Sequence, residues 1–331
     1  MNRTILLQQR PIGKPEVSNF KFVEEEKPSI KDGQILLKLT FVSVDPYLRG
    51  RMSDAKSYIP PFELNKPVAS GSVAEVIESK HPEFTQGDFV SGMLAWQEYQ
   101  VSNGAGLLKV DAKQAPLSAY LGILGMTGLT AQLGLQEIGK PKSGETLVVS
   151  GAAGAVGTIV GQIGKILGLR VIGIAGSDEK TQLLTSTLGF DAAINYNTTT
   201  NMAEAIAEAA PNGVDIYFDN VGGDISDGVH ANINKFARII ICGAISLYNA
   251  TSLPMGPRVE PLLVKNSALM QGFIIGNYAE KFPEAIQQLA TWLREGKLTN
   301  SETIVEGFEA IPEAFISLFD GKNTGKMVVK I

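Results

Sequence analysis

The stretch Thr146–Gly168, TLVVSGAAGAVGTIVGQIGKILG, sets the reading of the whole chain. Leu147, Val148 and Val149 form a short apolar run that leads into the glycine-rich segment Ser150–Gly157. Beyond it, Ile159, Val160, Ile163, Ile166 and Leu167 recur at helical spacing on one face. Strand, glycine-rich turn and helix opening form the context that binds a dinucleotide pyrophosphate. The turn must be tight, the backbone must approach the phosphates, and the helix N-terminus supplies unpaired N–H groups and a positive dipole end. In a G-x-G-x-x-G register Ala152 stands in the first glycine's place, while Gly154 and Gly157 match. An αβ turn shaped by packing alone would carry similar glycines, so the choice depends on the sequence around it.

Downstream, strand-like runs alternate with helical patterns. Strands are expected at 146–151, 170–175, 192–196, 214–219, 238–243 and 269–275, and helices at 178–189, 201–210 and 224–236. Six strands in this rhythm predict a doubly wound parallel sheet with right-handed crossovers. Upstream, residues 1 to about 120 predict an all-β region with strands at 35–44, 71–77, 89–93, 98–101 and 106–110. Turn signals such as Lys31-Asp32-Gly33 and Gln86-Gly87-Asp88 separate them, which suits a small barrel or sandwich. Pro116–Gly139 changes to helical spacing, with Gly125–Gly128 as a break between helices. Residues 282–295 and 311–319 predict two further helices, and 326–331 a last strand able to return to the first domain's sheet.

The 331 residues fit about two domains, and 44% hydrophobic with 19% charged residues can bury a sizeable core. A net charge of -5 argues against nucleic acid or an acidic membrane surface as partner. No apolar run is long enough to span a membrane, the first ten residues do not read as a secretory signal, and the single Cys242 suits a reducing cytoplasm. Zinc sites need three or four ligands. Cys242, His81 and His230 include no closely spaced pair, so no metal is expected. His81, in a polar turn, reads as a solvated loop residue, and His230 as a partly buried or surface helix residue.

A carboxylate at the end of the second strand would bind the ribose hydroxyls of NAD. Here the strand ends at Gly176-Ser177, with Lys180 one turn on. Small residues leave room for a 2′-phosphate and Lys180 can neutralise it, which favours NADPH over NADH. Ser177 also reads as a plain helix cap followed by two acids, and both readings can hold together. Asn220, after the fourth strand, lies where ligands of open α/β sheets bind, and also reads as a turn former. Cys242 reads as a small buried residue of the crevice, with no histidine near in sequence to activate it.

These residues carry a family resemblance. The chain resembles the zinc-independent medium-chain dehydrogenase/reductases of the prostaglandin reductase and alkenal double-bond reductase type, and especially the bacterial NADPH-dependent curcumin reductases. The likeness covers nearly the full length. It rests on 44–52 (VDPYLRGRM), 125–128 (GMTG), 152–157 (AAGAVG), 176–180 (GSDEK), 218–223 (FDNVGG), 242–246 (CGAIS), Tyr248-Asn249, 306–308 (EGF) and 323–326 (NTGK). Zinc-dependent relatives carry a cysteine near Asp45 and a Gly-His-Glu near Val68–Gly71, and this chain has neither.

The resemblance implies a GroES-like β-barrel domain from 1–122 and 298–331, and a Rossmann NADP-binding domain over 123–297. It implies NADPH contacts from Met126, Thr127, Gly154, Ala155, Val156, Gly157, Lys180, Tyr196 and Asn220. Cys242, Gly243, Ala244, Ile245 and Tyr248 of the 242–248 loop, Phe273, Ile274 and Ile275 of a 273–275 strand, and Asn323 complete the set, with Ser177 added from its own reading. Tyr196 and Lys180 would hold the 2′-phosphate, and Asn323 would reach towards the nicotinamide. Relatives often pair as homodimers through the Rossmann sheet edge.

The chemistry implied is hydride delivery to the β-carbon of an α,β-unsaturated aldehyde or ketone, with enolate charge developing on the carbonyl oxygen. Without zinc, the stabilising and protonating donors are hydroxyls, backbone N–H groups and the cofactor's ribose hydroxyl. Tyr248 and Tyr58 are the candidate proton donors, and either can equally be an aromatic wall. Tyr47 fixes its loop or borders the substrate. Trp96, Met126 and Phe273 line an apolar pocket or pack the core. Two rival functions remain at this stage: an NADPH:quinone oxidoreductase of the same fold, and a catalytically idle NADPH-binding protein.

Overall fold

The computed structural model describes residues 1–252 and 254–331. The chain forms two compact units: residues 1–121, 303–323 and 327–331 in one, and 122–302 with 324–326 in the other. The residues 298–302 and 324–326, expected in the β domain, therefore pack with the nucleotide unit.

That unit is built on a six-stranded parallel sheet: β1 (Thr146–Ser150), β2 (Arg170–Ala175), β3 (Ala192–Asn195), β4 (Val214–Asp219), β5 (Ile233–Ile241) and β6 (Leu269–Gly272). The spatial order is β3-β2-β1-β4-β5-β6, all pairs parallel. The order reverses at β1, between β2 and β4, where such sheets open a crevice at their carboxyl ends. All five residues of β1 are buried, as expected of a strand covered by helices on both faces. The helices α1 (Gly157–Ile166), α2 (Asp178–Ser186), α3 (Met202–Ala209) and α4 (Gly223–His230) follow β1 to β4 in turn.

Three expectations shift here. The helix expected over 224–236 stops at His230, and 233–241 is β5. Phe236 adopts a left-handed φ of 65°, and this local break hid the strand period from the sequence. The helix expected to 189 ends at Ser186, where Leu188 and Phe190 turn their N–H groups back to Leu183 and Leu184. β6 ends at Gly272, so Phe273–Ile275 are not strand, and Ile275 opens a 3₁₀ turn.

The other unit is an antiparallel GroES-like β domain. The expected strands lie at Ile35–Ser43, Ala69–Ser79, Phe89–Ala95, Tyr99–Ser102 and Leu108–Val110. The terminal strand Lys326–Lys330 joins Ile35–Ser43, with Val328 opposite Ser43 and Val329 opposite Val42. Not foreseen were the antiparallel pair Asn2–Leu7 with Phe20–Glu25 and the outer strand Glu302–Glu306. Ile5, Leu37, Val76, Trp96, Phe308 and Phe315 belong to one buried cluster. Trp96 is fully buried, its indole N–H donating to Ser70 Oγ at 2.8 Å and its ring stacked on Phe20. Of the two readings offered for Trp96, its burial, its bond to Ser70 and its stacking on Phe20 are those of core packing.

Candidate active site

The imperfect fingerprint resolves at the β1–α1 turn. Gly151, not residue 152, takes the left-handed backbone the tight turn requires, with φ 58°. Gly154 N–H donates to Gly151 O at 2.9 Å, closing the turn. A Cβ on Gly157 would lie 2.4 Å from Gly151 O and 2.6 Å from Ala152 Cα, so the first residue of α1 must be glycine to pack. Ala152 is fully buried, and its methyl lies 2.9 Å from where a Gly173 Cβ would project, so it packs on β2. A tight turn of glycines and small side chains, at the start of a ten-residue helix, suits a pyrophosphate.

The carboxyl-terminal segment completes this turn. Gly325 N–H donates to Ala153 O at 2.8 Å, and Gly154 and Gly325 form a parallel bridge. Asn323, expected at the nicotinamide end, stands just ahead of it in the chain.

At the end of β2, Ser177 caps α2 by accepting from Lys180 N at 3.3 Å. Asn197 Nδ2 donates to Gly176 O at 2.6 Å, and Asn195 Nδ2 to Asp178 Oδ1 at 2.7 Å. Tyr196 folds its ring over Gly176. Partial burial lowers the Lys180 ammonium from its ordinary value, a cost that an anion bound beside it would offset. Gly176, Ser177, Lys180 and Tyr196 thus share one corner.

The end of β4 is built around Asp219, which sequence reasoning did not single out. This buried carboxylate accepts from Ser150 Oγ at 2.9 Å, Tyr217 Oη at 3.0 Å, and the Val221 and Gly222 N–H groups at 2.9 Å. Ser226 Oγ donates to its other oxygen at 2.5 Å. Asn220 Nδ2 donates to Ser150 O at 2.8 Å, tying β4 to β1. A charged residue closing the run Ile216–Phe218 was the available signal.

The loop after β5 hangs from the same point. Cys242 and Gly243 donate to Asp219 O, Ile245 to Asn220 O, and Ser246 to Val221 O. Burial, reinforced by the Asp219 charge, pushes the Cys242 thiol up to about 12, so it is no nucleophile near neutrality. The half-buried Tyr248 curls back to accept from Ala244 N at 3.3 Å.

Nearby in this unit, Phe273 packs edge-on to Phe218 and Tyr278 and fills the space beside Gly134. Ile274 is exposed and Ile275 half-buried. Met126 opens the helix Met126–Leu133 and is partly exposed. Thr127 is buried, and its Oγ1 has no partner among the described residues.

In the β domain, Asp45 accepts from Ser43 Oγ, and the buried Arg49 guanidinium donates to the carbonyls of Pro11 and Gly13. Arg51 lies 4.0 Å over the Phe62 ring and donates to Pro60 O. Burial, then the charge of Asp45, raises the Tyr47 phenol well above its ordinary value, and Tyr58 and Arg51 also act on it. Tyr47, Arg51 and the exposed Tyr58 therefore form one local cluster, with Tyr47 held as a neutral hydroxyl.

His81 accepts from Glu83 N in its turn, and His230 is buried edge-on to Tyr217, its pKa lowered by burial. Among the described residues no group of three or more His, Cys, Asp or Glu side chains could hold a metal ion. No helix of the described residues is long and apolar enough to cross a membrane.

Residues 3–110 match the family "N-terminal domain of oxidoreductase" and residues 155–291 the family "Zinc-binding dehydrogenase". The Bacillus subtilis protein YfmJ is 55% identical over 329 residues, covering 99% of this chain and 97% of that one. NADPH-dependent curcumin reductase of Escherichia coli is 45% identical, covering 100% and 97%. The crystal structure of CurA from Vibrio vulnificus in complex with NADPH superposes with a TM-score of 0.95 at 46% identity, covering 99% and 98%. The chain belongs to the medium-chain dehydrogenase/reductase family of oxidoreductases, in the group formed by the prostaglandin and curcumin reductases.

Proposed function

We propose that this protein is an NADPH-dependent reductase of the C=C bond of α,β-unsaturated aldehydes and ketones. The observation that carries the reading is the corner at the end of β2, where the side-chain-free Gly176 lies against Tyr196, the small Ser177 follows it, and the partly buried Lys180 stands one turn on. The full-length similarity to curcumin reductase supports it. When bound, the dihydronicotinamide supplies a hydride to the substrate's β-carbon. The β1–α1 turn holds the pyrophosphate on backbone N–H groups, and Lys180 neutralises the 2′-phosphate. Asn220, Thr127 and the 242–248 loop border the nicotinamide end. Asn323 follows the same reading.

The residues then have two tasks on the substrate: to stabilise charge on its carbonyl oxygen and to hold a proton for its α-carbon. A phenol does both, because it gives up its proton as charge builds. Tyr248 is the first candidate donor. Tyr58 is the second, with Tyr47 beside it. The exposed Leu269 on the outer strand β6, and the exposed Ile274 just beyond it, support pairing of two copies along that edge, which sedimentation velocity tests.

Stopped-flow oxidation of NADPH by a panel of enals, enones and quinones tests the reaction. Turnover of enals and enones above quinones is expected. No turnover of any activated alkene overturns the reading. Preference for quinones transfers it to quinone reduction, and tight NADPH binding with no turnover to an idle binder.

A further inference from the structure

We propose that Gly176 is a specificity-determining residue: its missing side chain seats the Tyr196 hydroxyl at the end of β2, where that hydroxyl serves the 2′-phosphate of the coenzyme. The inference rests on the NADPH reading above. A Cβ on Gly176 would lie 2.6 Å from Tyr196 Oη, 2.8 Å from Cζ and 3.2 Å from Cε1. Conformational freedom is not why glycine stands here, since residue 176 is not among the glycines with positive φ. An alanine would keep the backbone, and the three nearest atoms it would meet all belong to the Tyr196 phenol.

That collision is cheap for folding and costly for placement. Tyr196 is 39% exposed, so its ring can swing into solvent at little cost to the fold. The rest of the corner is pinned by bonds that no side chain at 176 disturbs. Tyr196 N–H donates to Ala175 O at 3.0 Å, Asn197 Nδ2 to Gly176 O at 2.6 Å, and Lys180 N to the Ser177 cap. The position of the phenol is therefore what glycine decides at this corner. A hydroxyl donating to a dianionic phosphate makes a charge-assisted hydrogen bond, whereas the same hydroxyl facing a ribose 2′-OH makes an ordinary one. Gly176 thereby discriminates between the two coenzymes without touching either through a side chain.

Calorimetric titration of Gly176→Ala, Tyr196→Ala and the double variant with NADP⁺, NAD⁺ and adenosine 2′-monophosphate tests this, with thermal melts as the control for folding. Gly176→Ala should weaken NADP⁺ and adenosine 2′-monophosphate roughly tenfold while moving NAD⁺ by less than about twofold. Melting temperature should stay near that of the parent. Tyr196→Ala should show the same loss, and adding Gly176→Ala to it should cost nothing more. Unchanged NADP⁺ affinity, an equal loss for NAD⁺, or a full additional loss in the Tyr196→Ala background overturns the role of Gly176. Equal NAD⁺ and NADP⁺ affinity in the parent protein overturns the cofactor reading itself, a different and separately visible result.

Discussion

The carboxyl edge of one parallel sheet is built in two manners. At β4 and β5, Asp219 gathers two hydroxyls on neighbouring elements, the Tyr217 phenol and two backbone N–H groups, and the 242–248 loop hangs from its carbonyl. At β2 and β3, single contacts hold a half-open corner with an exposed phenol and a partly desolvated lysine. The difference follows from the tasks assigned to the two ends. A group that must meet a developing charge works only if held in place beforehand. A corner that matches a fixed charge needs a cation, a donor and space, and tolerates movement.

The comparison breaks first at Tyr248. Replacing it by Phe should lower kcat about 100-fold or more with KM nearly unchanged, because the phenol's proton matters in the transition state. Steady-state kinetics with an enone decides this. A change in KM alone would make Tyr248 a wall and move the donor's role to Tyr58.

Asp219→Ala should be the most damaging change to stability. It strands buried hydroxyls and N–H groups at about 1–3 kcal/mol each, so a loss of about 3 kcal/mol or more in urea melts is expected. A near-neutral result would mean the dense end is no more rigid than the open one.

Lys180→Ala should leave the fold intact and raise KM for NADPH roughly 10–150-fold while KM for NADH moves little. An unchanged NADPH/NADH ratio would sink the assignment of the open corner.

The smallest effect concerns Cys242. Its folded pKa is raised, so the stability it contributes is complete below about 8.5, the ordinary thiol value, and is lost as pH rises towards 12. Alkylation by iodoacetamide at pH 8.5 should be slow in the folded protein and fast once unfolded, and Cys242→Ala should flatten the alkaline part of the stability profile.

Much of this was readable beforehand because periodicity is local. β2 and β4 lie within the expected bounds, since β-branched and aromatic residues such as Val171, Ile172, Ile216 and Tyr217, set off by Gly168 and Gly213, leave little choice for a buried parallel strand. The second half of β5 was expected at 238–243, and its first part, 233–236, was read as helix because a left-handed Phe236 interrupts the alternation there. Trp96 was ambiguous because nothing in a sequence says whether an aromatic faces a ligand or the Ser70 hydroxyl.

By itself, the sequence determined the two-part α/β architecture, the glycine-rich turn between β1 and α1, and the small-residue strand end followed by Lys180. Each is written in neighbouring residues, through periodicity, glycine and capping chemistry. Tertiary structure alone decided that Gly151 rather than residue 152 makes the turn, that Gly325 closes it from 171 residues away (325 minus 154), and that Asp219 organises the edge. It also decided why residue 176 is glycine, since the atom that excludes a side chain there belongs to Tyr196 on the next strand's end. Such contacts join residues far apart in the chain, and only the packed sheet, through the entropy it has already spent, brings them within a hydrogen bond of one another.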